Sequence, residues 1–247
     1  MKKLIFYPSL FFLIILFFTA RGQNVAIGVQ GGISIPNLTA GSTGSTPLST
    51  GYSSRFGPDF GINAEFKISS LFSIQPQLEY SSQGGKKDGF QAFPNTQPPP
   101  TYLYATFNSE AKMNYLMLPV LAKFGWDFKG SPLRFFVDAG PFVSLLASAR
   151  QVTSGTSEVY ADPGKTEPAS PGPVPFDKTT DIKDQLHDAN YGIEGNVGLA
   201  YRLKKSYFYI EAGGNYGFVN IQKVAEDGSN NTGAATVSIG YSIWLGK

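Results

Sequence analysis

The only histidine of the 247-residue chain, His187, stands between Asp184 and Asp188. An imidazole oriented by a carboxylate could serve as general base for a serine nucleophile at a rim active site. No nucleophile motif accompanies it, so the expectation is a solvated loop histidine, no catalytic residue and no enzyme. Asp177, Asp181, Asp184 and Asp188 recur every three or four residues and offer the hard oxygens that calcium takes. They lack the D-x-D-x-D-G spacing that folds a loop round the ion, and a solvated acidic segment is expected, with one or two helical turns over Asp181–His187. Gly84-Gly85-Lys86-Lys87 lacks the spacing of a phosphate loop, so no cofactor site is expected. Cysteine is absent, which excludes disulfides, thiolate metal sites and an acylated lipoprotein cysteine.

A different set of ionisable residues is more informative. Glu65, Lys67, Glu79, Lys123, Arg134, Asp138, Glu194, Arg202 and Glu211 each fall on the polar parity of an alternating segment. The pattern is clearest at the end of the chain. There Ala235, Val237, Ile239, Tyr241, Ile243 and Leu245 alternate with Thr236, Ser238, Gly240, Ser242 and Trp244. A period of two is that of a strand with two unlike faces. The polar face is small and uncharged, unlike a surface in bulk water.

Eight such segments follow one another: 24–35, 57–68, 72–83, 110–124, 133–148, 189–203, 207–221 and 233–246. Long loops at about 36–56, 84–109, 149–188 and 222–232 alternate with short turns. Pro76, Pro119 and Pro141 fall inside strands, where a missing ladder donor suggests local bulges. The pattern fits an all-β, eight-stranded antiparallel up-and-down transmembrane β-barrel. Short turns on the periplasmic side and long external loops are its usual asymmetry.

The apolar run Leu4–Phe18 follows Lys2 and Lys3, and Ala20-Arg21-Gly22 supplies small residues before Gln23. This is the layout of a signal peptide over residues 1–22, with the barrel domain over 23–247. Without residues 1–22 the chain carries 17 basic and 18 acidic residues, and no nucleic-acid surface is expected. Charged residues are 15% of the chain against about 25% in soluble domains. That shortage favours a barrel in the outer membrane over a soluble lipocalin-like binding barrel.

Aromatic spacing selects the lipid face. Tyr191 and Tyr201 share one face ten residues apart, as do Phe208 and Phe218. At the usual rise and tilt this spans roughly 25 Å, the height of the apolar band between aromatic girdles. The nine ionisable residues then point inward as five acids and four bases. They are expected to pair in a lumen network that plugs a barrel too narrow for a channel. A small-solute channel is the alternative.

Three stretches carry a resemblance. Leu78-Glu79-Tyr80-Ser81-Ser82-Gln83-Gly84-Gly85-Lys86, Tyr115–Lys123 and Gly140-Pro141-Phe142 resemble the PorT-type outer-membrane β-barrel family of Gram-negative bacteria. Met117 replaces an acidic residue of that pattern, and Asn190-Tyr191-Gly192 replaces Asp-aromatic-Gly. The resemblance implies an eight-stranded outer-membrane barrel with a possible accessory role in secretion, and no catalytic residue. The partners expected are outer-membrane lipid and an envelope protein or surface ligand met through the loops, with the barrel itself monomeric.

Overall fold

The structure is a computed structural model that describes residues 25–40, 45–97, 99, 101–224 and 227–246. The proposed signal peptide lies outside these residues. In chain order the strands are β1 (Val25–Ala40), β2 (Gly57–Lys67), β3 (Phe72–Pro94), β4 (Tyr102–Asp127) and β5 (Leu133–Ser154). Four short strands follow: β6 (Thr156–Ser157), β7 (Val159–Tyr160), β8 (Val174–Pro175) and β9 (Lys178–Asp181). The last three are β10 (Ala189–Arg202), β11 (Ser206–Gly217) and β12 (Asn230–Leu245).

Eight of these close a ring in the order β1-β2-β3-β4-β5-β10-β11-β12, each pair antiparallel. Closure is the pairing of β12 with β1, from Val25 opposite Leu245 to Ala40 opposite Asn230. Every barrel strand therefore has two neighbours, which is how a sheet survives in lipid without an open edge.

Alternation decides which side of the wall each residue occupies. On β12, Ile239 is 66% exposed while Ser242 is fully buried, so the apolar parity faces outward. Ile27, Val29, Phe60, Ile62, Val197, Leu199, Phe208 and Ile210 are likewise exposed. Tyr191, Tyr201 and Phe218 lie on this outer face as the spacing requires. The outside is an apolar band and the inside is polar, the reverse of a soluble barrel.

The loop boundaries need correction. Residues 84–109 are not a loop: β3 and β4 stay paired out to Pro94 opposite Tyr102. Eleven residues past Gln83 carry that hairpin roughly 35 Å further. Similarly, β1 runs on to Ala40, β5 to Ser154, and β12 begins at Asn230. The segment expected as a loop over 149–188 holds β6 to β9 and a single 3-10 turn, Lys183–Gln185. Ser, Thr, Gly and Asn fill these extensions, so turn chemistry masks strands whose pairing is supplied by neighbours.

The prolines do not make bulges. The pairing of β2 with β3 skips two positions near Pro76, and those around Pro119 and Pro141 are skipped similarly, with the register unchanged on both sides. Missing donors thus cost ladder bonds without inserting residues. The register shift lies instead between Asn114 and Tyr115, which leaves Ala147 on β5 as the extra residue.

Candidate functional site

The lumen has three layers, set by how far each inward residue lies from a turn. At the periplasmic end, Ala26, Phe136, Ala200, Tyr207 and Tyr209 form an aromatic layer with Trp244 against it. Large rings fit inside so narrow a barrel because glycines face them. A Cβ on Gly198 would sit 2.3 Å from the Phe136 ring, and one on Gly240 2.1 Å from Tyr209.

Above lies the charged layer. Glu65, Glu79, Lys123, Asp138, Glu194 and Glu211 are all buried there, as the inward parity requires. Lys123 Nζ donates to Gln75 Oε1 at 2.8 Å, stands 3.6 Å from Glu65 Oε2 and lies 4.0 Å over the Phe136 ring. Glu65 also accepts from Ser73 at 2.9 Å and from the Tyr207 hydroxyl at 2.5 Å. Asn196 Nδ2 donates to Asp138 at 3.0 Å and to Glu194 at 3.1 Å. Gln30 donates to Glu79 at 2.9 Å, and Tyr209 and Asn63 both donate to the Gln30 carbonyl.

The expected balance of acids and bases is not what the lumen contains. Lys67, Arg134 and Arg202 share the inward parity but stand at the periplasmic rim, because each lies within a residue or two of a strand end. Asp127, on the same rim, accepts from Arg134 at 2.8 Å and Arg202 at 2.9 Å. Partial burial alone would raise the Asp127 carboxyl. The hydrogen bond and charge of Arg134, with those of Arg202, hold it below the usual carboxylate range. Asp59, absent from the expected set, is buried inside and accepts from Ser81 at 2.8 Å. Its signal was available, since Asp59 shares parity with Gly61, Asn63 and Glu65. The charged layer therefore holds six acids around Lys123. Hydrogen bonds from Ser, Asn, Gln and Tyr side chains reach Asp59, Glu65, Glu79, Asp138 and Glu194 in place of bases, while one oxygen each of Asp138, Glu194 and Glu211 has no hydrogen-bond partner among the described residues.

The external end is closed differently. Leu38, Met113, Tyr115, Met117, Phe142, Leu146, Leu186 and Ile221 form an apolar cluster across the barrel, with Tyr52 and Ile182 packed on it. Leu186 and Ile221 come from connecting segments folded over the mouth, tied together where His187 N–H donates to the Ile221 carbonyl at 2.8 Å. Met117 belongs to this cluster, so an acidic residue at that position would be buried among apolar side chains. Arg55 reaches in from the first loop to Glu110 at 2.7 Å, Ser82 Oγ at 2.9 Å and the Gln83 carbonyl at 3.2 Å. Partial burial would raise Glu110, but the Arg55 and Lys112 bonds hold its carboxyl down. Lys87 Nζ lies 4.5 Å over Tyr52 and donates to the Leu48 carbonyl at 2.6 Å. Burial pulls its ammonium down to about 8, while burial and the Asp227 carboxylate push the Tyr52 phenol up to about 12.

Outside the membrane, the β3–β4 hairpin has a small core of its own. Ala105, Phe107 and Val159 are buried with Phe93, Leu103 and Phe176 against them. Phe107 and Phe176 stack with centroids 4.5 Å apart. On the neighbouring surface, Phe90 lies 6.0 Å from Tyr104 and 6.3 Å from Tyr160, with Lys165 Nζ 4.4 Å over its ring. β9 pairs with β5 and β7 with β4, which widens the hairpin into a platform.

His187, Asp184 and Asp188 are exposed at the foot of this region. Asp181 Oδ1 accepts from the Lys183 backbone at 2.9 Å, a turn role. Among the described residues, no group of three or more His, Asp or Glu side chains is placed to hold a metal ion.

A closed antiparallel ring with an apolar exterior also carries a recognisable sequence signature. Residues 20–223 match the family model described as an outer membrane protein beta-barrel domain. The chain belongs to that family. Its place is therefore the outer membrane, with β-strands crossing the bilayer. Curated proteins contain no match. Among solved structures it is similar to Neisserial surface protein A, at 14% identity over 89% of this chain and 99% of that one, with a TM-score of 0.41. The attachment invasion locus protein Ail of Yersinia pestis, solved with the heparin analogue sucrose octasulfate, is 8% identical. That match covers 89% of this chain and 99% of that one, with a TM-score of 0.38. The N-terminal β-barrel domain of Pseudomonas aeruginosa OprF is 10% identical over 90% of this chain and 100% of that one, with a TM-score of 0.36.

Proposed function

We propose that this protein is a non-enzymatic barrel that binds an envelope or surface partner through its external platform and conducts no solute through its lumen. The supporting observation is a division of labour along the barrel axis. Aromatic, charged and apolar layers fill the lumen, while the β3–β4 hairpin carries its own core and a strip of rings at Phe90, Tyr104 and Tyr160. Aromatic side chains held by a rigid sheet bring large contact area at little cost in conformational entropy, which suits them to interfaces. The resemblance to the PorT type supports a secretion accessory as one context for that partner.

The test is in-membrane crosslinking of the full-length protein against a form in which residues 156–176 are replaced by a short Gly-Ser linker. The expected outcome is loss of the crosslinked partner with the barrel still folded. Retained crosslinks would overturn the platform reading. Planar-bilayer recording should show no steady conductance, and His187→Ala should leave partner binding unchanged. A rim enzyme would instead lose its activity on that substitution.

A further inference from the structure

We infer that the periplasmic mouth of the barrel is a binding site for a phosphate group. The mouth is a cavity of about 310 Å3, within the range of small-molecule sites. Lys67, Arg134, Arg202 and Lys204 line it. Its side walls include Tyr207 and Trp244, and its floor is formed by Glu65, Lys123 and Phe136. The site lies at the opposite end from the external platform and does not depend on what the platform binds.

Charge decides the ligand class. At the floor, Lys123 and Glu65 face each other at 3.6 Å and offset one another. At the rim, Asp127 is shared between Arg134 and Arg202, each bonded through Nη1, at 2.8 and 2.9 Å. One carboxylate thus holds two guanidiniums side by side, and Lys67 and Lys204 add two further positive charges to the lining of the cavity. Arg134 Nη2 donates to the Ser70 carbonyl at 2.9 Å, which fixes the plane of its fork. The remaining guanidinium N–H groups of Arg202 and the Lys204 ammonium are what an oxyanion would engage. Paired guanidiniums match the geometry of a phosphate better than isolated ammonium groups do. The low-dielectric walls of a narrow mouth concentrate this field. Trp244 and Tyr207 meanwhile offer an apolar surface for whatever carries the phosphate.

Two sources could supply that group: the headgroup of an anionic phospholipid in the inner leaflet, or a free phosphate compound in the periplasm. Trp244 lines the cavity, and the only other tryptophan is Trp126. A Trp126→Phe background therefore makes indole fluorescence report on the mouth alone. The full barrel in neutral detergent is titrated with inorganic phosphate against chloride at matched ionic strength. The same protein in nanodiscs of phosphatidylcholine is compared with nanodiscs containing phosphatidylglycerol. A saturable change with inorganic phosphate supports a soluble ligand, and one only with phosphatidylglycerol supports the headgroup.

Arg134→Gln with Arg202→Gln should weaken the response about tenfold or more, since hydrogen bonds to charged groups carry that much. Lys204→Gln leaves the Arg134–Asp127–Arg202 group in place and should weaken it about threefold by charge alone. No specific response in either arm, or unchanged affinity in both variants, overturns the inference.

Discussion

The two ends of the lumen are closed by opposite chemistry. The external end is sealed by Met113, Tyr115, Met117 and Leu146, capped by Leu186 and Ile221. The periplasmic end and middle are sealed by ions, amides and phenols around Lys123, Glu65 and Tyr207. The difference follows from what each end has to work with. Long connections can fold apolar side chains back over the mouth, whereas turns of three to five residues cannot. Where no loop reaches, the barrel must fill itself from its own wall, and wall residues with polar heads can be satisfied only by one another. At the external end the connections therefore add an apolar cap, Leu186 and Ile221, to wall residues such as Met113 and Met117, whereas the periplasmic half is filled by the strands alone.

The largest effect that separates the two is expected from Lys123→Met. It leaves Glu65 and Asp138 without their shared cation, and breaking a buried pair in this way costs about 3–5 kcal/mol. The measurement is the urea midpoint of the detergent-folded barrel. A variant as stable as the native protein would mean that amide and phenol hydrogen bonds alone hold the periplasmic half.

Next in size is Ile221→Ala, which removes a fully buried side chain of the cap. A cost of about 2–3 kcal/mol is expected from lost transfer energy and cavity. It should appear chiefly as faster proteolysis of the external segments, with the transmembrane ladder still protected. Equal loss at both ends would show that the halves unfold as one unit.

Lys87 provides a pH test confined to the external side. Burial pulls its ammonium from the ordinary 10.5 to about 8. The unfolded chain holds that proton between these values while the folded chain does not, so stability rises with pH across this window. It is lost again as pH falls to about 8. Residues 45–56 should resist protease better at the upper end of the window, and Lys87→Met should remove the dependence.

The smallest effect is expected at the aqueous rim. Asp127→Asn should cost less than about 1 kcal/mol, because an exposed pair is screened by water and salt. The carboxyl is held low in the folded state, so its contribution is present above the ordinary carboxylate range and lost as pH falls through its lowered value. A double-mutant cycle with Arg134→Gln checks the coupling. A coupling as large as that at Lys123 would erase the distinction between rim and lumen.

Parity was legible in the sequence. Ile239 outward and Ser242 inward follow from alternation alone, as do the inward positions of Glu65, Glu79, Asp138, Glu194 and Glu211. Height was not. Lys67, Arg134 and Arg202 have the same parity as Lys123 yet stand in the mouth, since distance from a turn only becomes depth once strand tilt and register are known. The extended hairpin was hidden as well. Gly84, Gly85, Gly89 and the prolines around 98–100 read as loop chemistry, and only pairing with Tyr102–Lys112 makes residues 84–94 a strand.

By itself, the chain determined eight alternating strands, each with one greasy and one polar face, because a two-residue period is local and each strand carries its own copy. Tertiary structure alone decided which charges meet, which mouth is apolar and how far the hairpin projects. Those depend on contacts between residues such as Tyr207 and Glu65, 142 positions apart, whose meeting is set by ring closure rather than by any stretch of sequence.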